Sequence, residues 1–356
     1  MSATFVLVTD PIVLARRLVA IPSVTGQEGE VARFLGSHLE SLGWRVEYQE
    51  AAPGRPIVIA TTGAPPRLVL STHLDTVPPH LPPREDDAAL HGRGACDAKG
   101  IVAAMVAAAE QLRADGVREI GLLFVVDEEM DSVGARAADA HPLAQACRWL
   151  VNGEPTENRV ALGSKGSLRV TLRTEGTGGH SAYPERGASA IDRLLEVLAE
   201  VRAVRWPRDD VMGETTCNIG VIEGGSAPNV IAEAAHADLQ IRLVADAAPV
   251  RRLLEEAVRG RARIEERTCV LPIRLTAPDG FETCVVAFTT DIPQLGHWGT
   301  PLLLGPGSIH VAHTDHEHIA KADLARGVEL YVRLARVLLA RDGAAAARSA
   351  AAGSAR

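Results

Sequence analysis

Acidic and imidazole side chains follow three apolar segments in the first half of the chain, and this repetition constrains the fold most. The segments at 67–70, 120–126 and 149–151 have the length and composition of buried strands. The polar residues just beyond them are His73, Asp75, Asp127, Glu128, Glu129 and Glu154. In open α/β sheets, ligands bind beyond the carboxyl ends of the strands. The sequence therefore predicts an α/β fold with a metal site at one sheet edge.

The spacing inside each cluster suits metal binding and proton transfer. His73 and Asp75 are two residues apart, so an extended chain places both on one face, where Asp75 can orient the imidazole. At 127–129 adjacent side chains diverge, so one carboxylate can bind metal while its neighbour moves a proton. Asp97 lies in a glycine-framed loop before the apolar segment 101–109, and a helix start there favours a carboxylate.

Composition and missing motifs exclude several classes of protein. The net charge of -8 is dispersed, so we expect no nucleic-acid partner. No leader pattern and no apolar run of 18 residues occurs, which predicts a cytoplasmic protein without a membrane segment. The five cysteines are widely spaced and indicate reduced thiols. There is no Gly-x-Ser-x-Gly elbow, no dinucleotide or Walker loop, and no spacing typical of a tetrahedral structural zinc site.

The order of strand and helix patterns predicts two domains. Between 166 and 275 the pattern is βαββαβ, which is typical of a ferredoxin-like unit. We expect this unit to be inserted in a domain formed by 1–165 and 276–341. The last segment, 342–356, is nearly all Ala, Gly, Ser and Arg, and its composition predicts a disordered tail.

Five motifs in a fixed order carry a resemblance to a known family. They are Ser71-Thr72-His73-Leu74-Asp75, Gly92-Arg93-Gly94-Ala95-Cys96-Asp97, Asp127-Glu128-Glu129, Gly153-Glu154-Pro155-Thr156 and Ala312-His313-Thr314-Asp315-His316-Glu317. The chain resembles the di-zinc peptidase and deacylase family that includes acetylornithine deacetylase, succinyl-diaminopimelate desuccinylase, aminoacylase and the glutamate carboxypeptidases. The resemblance spans about 21–337. It implies a zinc-peptidase-like catalytic domain with a central mixed sheet flanked by helices, and an inserted ferredoxin-like α+β domain that acts as lid and dimerisation domain.

The resemblance also implies a role for each motif residue. His73 and Glu154 would bind the first metal, Glu129 and His313 the second, and Asp97 would bridge both. The implied cofactor is two Zn²⁺ per subunit, because a mixed nitrogen and oxygen ligand set suits zinc, with Co²⁺ or Mn²⁺ as substitutes. For the last imidazole, His310, His316 and His318 are rivals of His313, and the His-x-x-x-Glu step to Glu317 favours His313.

The other implied roles concern the substrate. Glu128 would be the general base, Asp75 the partner of His73, and His180 the oxyanion donor, in cis or from a partner subunit. Asn229 and Arg242 would bind the substrate carboxylate, with Gly307 in a backbone loop of the pocket.

The substrate class stays open among relatives that share this site. The resemblance implies hydrolysis of an N-acyl amino acid, as by acetylornithine or acetyl-lysine deacetylases, in a homodimer formed through the lid. One alternative releases lysine or ornithine from an acidic amino-group carrier protein, for which Arg169, Arg173 and Arg186 are candidate contacts. A dipeptidase or carboxypeptidase is another alternative, and a catalytically silent metal-stabilised binding protein belongs to a different class.

Overall fold

The chain forms two compact units in a computed structural model that describes residues 9–353, with side chains described up to residue 341. The first unit comprises Met1–Ala161, Leu275–Cys284 and Thr290–Arg356. The inserted unit comprises Leu162–Arg274 and Val285–Thr289. Among the described residues, no helix is long and apolar enough to cross a membrane.

Helices and strands alternate along most of the described chain. The α-helices are α1 (Pro11–Val19), α2 (Gly29–Ser41), α3 (Lys99–Ala114), α4 (Val133–Asp139), α5 (Ala190–Ala203), α6 (Ala247–Val258) and α7 (Lys321–Gly353). The longer strands are β1 (Arg45–Ala52), β2 (Arg55–Thr61), β3 (Leu68–His73), β6 (Ile120–Val125), β7 (Trp149–Asn152), β8 (Val160–Ser164), β9 (Gly166–Glu175), β13 (Thr216–Gly224), β15 (Ala234–Leu243), β16 (Arg263–Val270), β18 (Thr283–Val286) and β19 (Thr300–Leu303). The shorter strands are β4 (Arg84–Glu85), β5 (Ala89–His91), β10 (Gly179–His180), β11 (Arg208–Asp209), β12 (Gly213–Glu214), β14 (Val230–Ile231), β17 (Ile273–Arg274) and β20 (His318–Ala320).

The first unit is built on a six-stranded mixed sheet with the order β1-β2-β6-β3-β7-β19. β1, β2 and β6 pair antiparallel, whereas β6, β3, β7 and β19 run parallel to one another. The carboxyl ends of the four parallel strands therefore lie at one edge. This arrangement confirms the predicted α/β fold with a central mixed sheet.

Alternating apolar side chains let this sheet bury both faces. On β3, Leu68 and Leu70 pack into a core with helices α1, α2, α3 and α7. Val69 points to the other face, into a core with α4 and Trp298. Helices thus cover both faces of the sheet, as expected for parallel strands.

The inserted unit has the predicted ferredoxin-like order. Its antiparallel sheet runs β13-β15-β9-β16, and α5 and α6 pack on one face around the apolar residues of β9 and β15. This unit starts at Leu162 rather than at residue 166, and it also includes Val285–Thr289.

The end of the chain differs from the disordered tail expected at 342–356. Helix α7 continues to Gly353, and residues 354–356 lie outside the described part. The difference has a simple cause, since alanine has the highest helix propensity and adds to a helix already begun.

Candidate metal centre

The parallel strands of the first unit bring the predicted ligands to one place. His73 is the last residue of β3, Glu129 follows β6, and Glu154 follows β7. Asp97 precedes α3, and its peptide bond to Ala98 is cis. Because β6, β3 and β7 are neighbours, their outgoing loops meet, and one ligand atom each of His73, Asp97 and Glu129 lies within 4.8 Å of the others.

The Asp97 carboxylate lies between two imidazole rings. His73 Nε2 lies 3.1 Å from Asp97 Oδ1, and His313 Nε2 lies 3.4 Å from Asp97 Oδ2. His313 Nε2 is also 2.8 Å from Glu129 Oε1. The two oxygens of Asp97 thus face two different groups, which is the arrangement of a bridging carboxylate. Among the described contacts, none joins His310, His316 or His318 to these carboxylates.

The backbone of Asp75 sets the orientation of the His73 ring. His73 Nδ1 is 3.0 Å from the Asp75 carbonyl oxygen and 3.5 Å from its Oδ1. A proton on Nδ1 donated to that carbonyl leaves the Nε2 lone pair free for a cation. The Asp75 carboxylate itself accepts the backbone N–H groups of Glu128 and Glu129, each at 3.1 Å. Asp75 therefore positions both the imidazole and the loop that carries these glutamates.

Buried negative charge accumulates here and shifts the pKa values. Burial and the nearby Glu154 raise the pKa of Glu128 well above its usual value. Burial and Asp97 do the same for the pKa of Glu154. The hydrogen bonds to Asp97 and Glu129 raise the pKa of His313 to about 10. Burial alone would lower the pKa of His73, but hydrogen bonds to Asp75 and Asp97 raise it well above its usual value.

These residues fit divalent metal ions. Glu154 is buried, and its Oε1 has no hydrogen-bond partner among the described residues. An unpaired buried carboxylate is costly, and a nearby cation removes that cost. His73, Asp97 and Glu154 could hold one ion, and Asp97, Glu129 and His313 a second, a nitrogen and oxygen set that suits Zn²⁺, Co²⁺ or Mn²⁺.

Glu317 holds the Asp97 loop in place, a role that the sequence analysis missed. Its Oε1 accepts the backbone N–H groups of Gly94 at 2.9 Å and of Cys96 and Asp97 at 3.1 Å each. Its Oε2 accepts a hydrogen bond from Arg93 Nη1 at 2.7 Å. Both side chains are fully buried. The His-x-x-x-Glu spacing from His313 drew attention to Glu317. It did not indicate which groups Glu317 contacts.

A second buried network anchors the turn after β6. Asp127 has a positive φ of 71°, and its Oδ1 accepts a hydrogen bond from Arg55 Nη2 at 2.6 Å. Arg55 also binds Glu28 with two hydrogen bonds of 2.6 and 2.7 Å. The first acid of the Asp127-Glu128-Glu129 run is therefore a structural residue. No local pattern predicts this pairing, because Asp127 and Glu28 lie 72 and 27 residues from Arg55 along the chain.

Asp291 is a further buried carboxylate near the site that the sequence analysis did not single out. It is 1% exposed, and neither side-chain oxygen has a well-formed hydrogen bond among the described residues. Burial, together with the charges of Asp75 and Asp127, raises its pKa to about 7, while Ser132 and the charge of His73 oppose this shift.

Gly307 backs the Asp97 loop. Its φ is +85°, and a Cβ there would lie 2.6 Å from Cys96 Sγ. Its carbonyl oxygen accepts the backbone N–H of Glu157 at 2.8 Å. The positive φ and the short distance from a Cβ to Cys96 Sγ both favour glycine at this position.

The other predicted substrate residues belong to the inserted unit. His180 is exposed on β10, which pairs with β14, and the carbonyl oxygen of Asn229 accepts the N–H of Ser181 at 3.1 Å. Two predicted residues, His180 and Asn229, are thus brought together locally. Arg242 lies on β15 and is partly buried, and its guanidinium makes no hydrogen bond to a described residue.

Comparison with known proteins identifies the family. The family described as Peptidase family M20/M25/M40 matches residues 69–337. A Peptidase M20 domain-containing protein of Schizosaccharomyces pombe is 37% identical over 337 residues, which cover 90% of this chain and 83% of that protein. A probable carboxypeptidase of Aspergillus terreus is 36% identical over 364 residues, which cover 90% and 84%.

Solved structures share the fold of this chain. A tripeptidase from Staphylococcus aureus superposes with a TM-score of 0.74 at 21% identity and covers 92% of this chain and 98% of its own. A dinuclear metal binding peptidase of the M20 family from Bacillus subtilis gives a TM-score of 0.66 at 15% identity and covers 92% and 97%. The strands, the loops and the family match agree, and the chain belongs to the M20/M25/M40 family of peptidases.

Proposed function

We propose that this protein hydrolyses an amide bond next to a free carboxylate, in an N-acyl amino acid or a short peptide, with two divalent metal ions. Zinc is the first choice of metal. The observation that carries the proposal is the Asp97 carboxylate, whose two oxygens face His73 and His313, with Glu129 beside His313. The orphaned buried oxygen of Glu154 supports a cation on the His73 side.

Each residue of the chain has a task in this reaction. Bound divalent metals supply Lewis-acid chemistry and lower the pKa of water toward about 7. Glu128 accepts the proton of the attacking water and passes it to the leaving amine, since its raised pKa suits a group that both takes and returns a proton. Asp75 fixes the backbone of Glu128 and the ring of His73. His180 is proposed as a donor to the oxyanion.

Two classes of substrate are compatible with this site. The resemblance to acetylornithine and acetyl-lysine deacetylases favours N-acyl amino acids. The relative named a probable carboxypeptidase favours peptides with a free carboxyl terminus. In both, Arg242 and Asn229 would bind the carboxylate, because a guanidinium can hold it with two hydrogen bonds.

A substrate panel with a base variant tests the proposal. Metal-loaded protein is assayed with acetyl-ornithine, acetyl-lysine, acetyl-citrulline and dipeptides. Glu128→Gln should keep its metal content and lose about 10²–10⁴-fold in kcat, because the general base is gone. Glu30→Gln, at an exposed position, is the matched control. Unchanged turnover in Glu128→Gln would remove the proposed base, and two bound metals without hydrolysis of any compound would favour a silent binding protein.

We also propose a homodimer through the inserted unit. Strand β13 is at one edge of its sheet and exposes Val221 and Ile222, at 41% and 53%. An exposed apolar edge strand is a template for pairing with another chain. Ile222→Lys should shift the particle toward monomer in light scattering, and a wild-type protein that is monomeric at all concentrations would refute the dimer.

A further inference from the structure

Two histidines lie side by side on adjacent strands of the first unit. β20 pairs antiparallel with β5, and the register places His318 directly opposite His91. Residues opposite one another on antiparallel strands project from the same face, with Cβ atoms about 4.5–5.5 Å apart. The centres of the two imidazole rings are 5.4 Å apart, and the ring planes are inclined by 37°. Neither histidine takes part in the proposed hydrolysis.

The two strands hold this histidine pair on a rigid support. Leu90 and Ile319, the neighbours of the histidines along each strand, project from the opposite face and are buried in the main apolar core. The imidazoles themselves are only partly buried, so that water and small ions can reach them. Ligands that are fixed by strands lose little conformational freedom when they bind an ion.

Each ring uses one nitrogen as a donor and leaves the other nitrogen available. His318 Nδ1 is 2.8 Å from the carbonyl oxygen of His316, which can only accept, so the proton of the neutral ring lies on Nδ1. His91 Nε2 is 2.8 Å from Asp86 Oδ2, and an ionised carboxylate likewise only accepts. The other ring nitrogens, Nε2 of His318 and Nδ1 of His91, make no hydrogen bond to a described residue. In the neutral rings both of these nitrogens carry a lone pair.

This arrangement of hydrogen bonds is typical of histidines that bind metal ions. Such a histidine donates its other N–H to a carboxylate or to a backbone carbonyl, which fixes the tautomer and makes the free nitrogen more basic. Here His91 donates to a carboxylate and His318 to a carbonyl. Two imidazoles on one tetrahedral ion, with metal–nitrogen bonds of about 2.1 Å, have ring centres roughly 5 Å apart. The observed separation of 5.4 Å fits this geometry.

The charges around the pair allow a cation to bind. Hydrogen bonds from His91 and from two backbone N–H groups lower the pKa of Asp86 to about 2, so this carboxylate is charged at neutral pH. Arg84 lies opposite His91 on β4 and carries a charge that opposes a cation. Arg84 is exposed, so that solvent and salt screen its charge, whereas Asp86 contacts the imidazole directly.

We propose that His91 and His318 bind a third divalent transition-metal ion, separate from the centre around Asp97. Zn²⁺, Cu²⁺ and Ni²⁺ all accept imidazole ligands, with water completing the coordination, whereas Mg²⁺ prefers oxygen ligands. The ion bridges β5 and β20. Gly92, directly after His91, donates its N–H to the carbonyl oxygen of Glu317 at 3.0 Å, so the ion joins the two segments that support the Asp97 loop. This site does not depend on the proposed hydrolysis.

Counting bound zinc tests the site. Wild type and variants are dialysed to equilibrium against the same series of Zn²⁺ concentrations, and the zinc bound per chain is measured by mass spectrometry of the digested protein. His91→Asn and His318→Asn should each bind one ion fewer than the wild type, because each leaves a single imidazole. His297→Asn is the matched control, since His297 pairs with Asp139 as His91 pairs with Asp86 but contacts no other imidazole among the described residues. Its zinc content should equal that of the wild type.

Amide hydrogen exchange gives a second measurement that does not rely on counting ions. When the wild type binds its last Zn²⁺, exchange in β5 and β20 should slow, because the ion holds the two strands together. His318→Asn should show no such slowing, and Mg²⁺ should not replace Zn²⁺ in the wild type. Equal melting temperatures of the chelator-treated proteins verify that the variants are folded.

The outcomes separate this site from the proposed function. Equal zinc content in the wild type, His91→Asn and His318→Asn, or a loss of zinc that His297→Asn shares, would overturn the histidine site and leave the proposed hydrolysis intact. A loss of one ion in the two histidine variants alone supports the site, whether or not the protein hydrolyses any substrate. A wild type that binds a single ion, and loses it in both variants, would support the histidine site and refute the two-metal centre of the proposed function.

Discussion

At the scale of single residues, Glu317 is the best test of how the Asp97 loop is held. Its two oxygens accept three backbone N–H groups and the Arg93 guanidinium, all within the core. Glu317→Gln replaces one accepting oxygen with a donor and removes the charge that neutralises Arg93. We expect a loss of about 3–5 kcal/mol in the free energy of unfolding, and metal binding about 10–100-fold weaker.

Urea denaturation and metal titration measure these two effects separately. Glu329→Gln, whose partner Arg326 is exposed, is the matched control and should change stability by less than about 1 kcal/mol. Normal metal affinity in Glu317→Gln would show that the Asp97 loop keeps its shape without the carboxylate.

The raised pKa of the buried Asp291 leads to a prediction of how the stability of the metal-free protein depends on pH. Its pKa is about 7 in the folded chain against 3.8 for the free side chain. Between these values the folded state holds a proton that the unfolded state has lost, so stability falls as pH rises from about 4 to 7. Asp291→Asn should remove this loss and stabilise chelator-treated protein above pH 7 by up to ~4 kcal/mol, with no gain below pH 4.

The measurement is urea denaturation of both proteins at pH 4, 5.5 and 7.5. Asp210→Asn, at an exposed position, should leave the curve unchanged. Parallel curves for wild type and Asp291→Asn would contradict a raised pKa at this residue.

The residues of the site were predictable where local order and the family resemblance sufficed. Each of Asp97, His313 and Glu129 lies in a short recognisable motif. The structure brings all three close to His73 or to one another. Long-range partners carry no such pattern. The hydrogen bond from the Gly94 N–H to the Glu317 carboxylate joins residues that are 223 positions apart. The sequence near either residue contains no pattern that predicts this bond. The role of Asp75 was predicted only in part, because its carbonyl oxygen rather than its carboxylate makes the shorter contact to His73.

At the scale of elements, periodicity explains what the sequence could and could not predict. The buried strands β3 and β6 and the helix α3 were predicted within a few residues, since long apolar patterns leave few alternatives. Strands such as β10 and β14 have two residues each and no period to detect. They form because the surrounding loops bring their backbones together.

The junction between α3 and the Asp97 loop gives a prediction at this scale. Gly100 lies in the first turn of α3, and a Cβ there would be 2.2 Å from the carbonyl oxygen of Ala95. Helix propensity alone would make Gly100→Ala stabilising by roughly 0.5–1 kcal/mol. We expect the opposite, a loss of about 1–3 kcal/mol, because the helix must move away from the loop.

Thermal or urea denaturation gives the sign of this effect. Gly296→Ala is the control, since a Cβ at that position meets nothing within 4 Å and the change should stay within about 0.5 kcal/mol. A Gly100→Ala protein as stable as the wild type would mean that the Ala95 carbonyl can shift freely.

At the scale of the whole molecule, the chain is organised as two compact units. The proposed metal ligands all come from the first unit, and the inserted unit contributes none of them. The order of patterns along the chain predicted this division, because a βαββαβ run interrupts a series of parallel strands. Its boundary could not be fixed from composition, since β8 and β18 lie where the chain passes from one unit to the other.

Metal removal should therefore affect the two units differently. A ligand that binds only the folded state stabilises it by about 4 kcal/mol when present at a thousand times its dissociation constant, and a chelator removes that contribution. After chelation we expect faster amide hydrogen exchange in the first unit, first around Asp97 and Glu129, where buried carboxylates then repel one another. Exchange in the strands β9 and β15 should stay the same, because the inserted unit contributes none of the proposed ligands. Adding Zn²⁺ back should restore protection, and a chelator that left exchange in both units unchanged would show that the folded first unit gains no stability from metal.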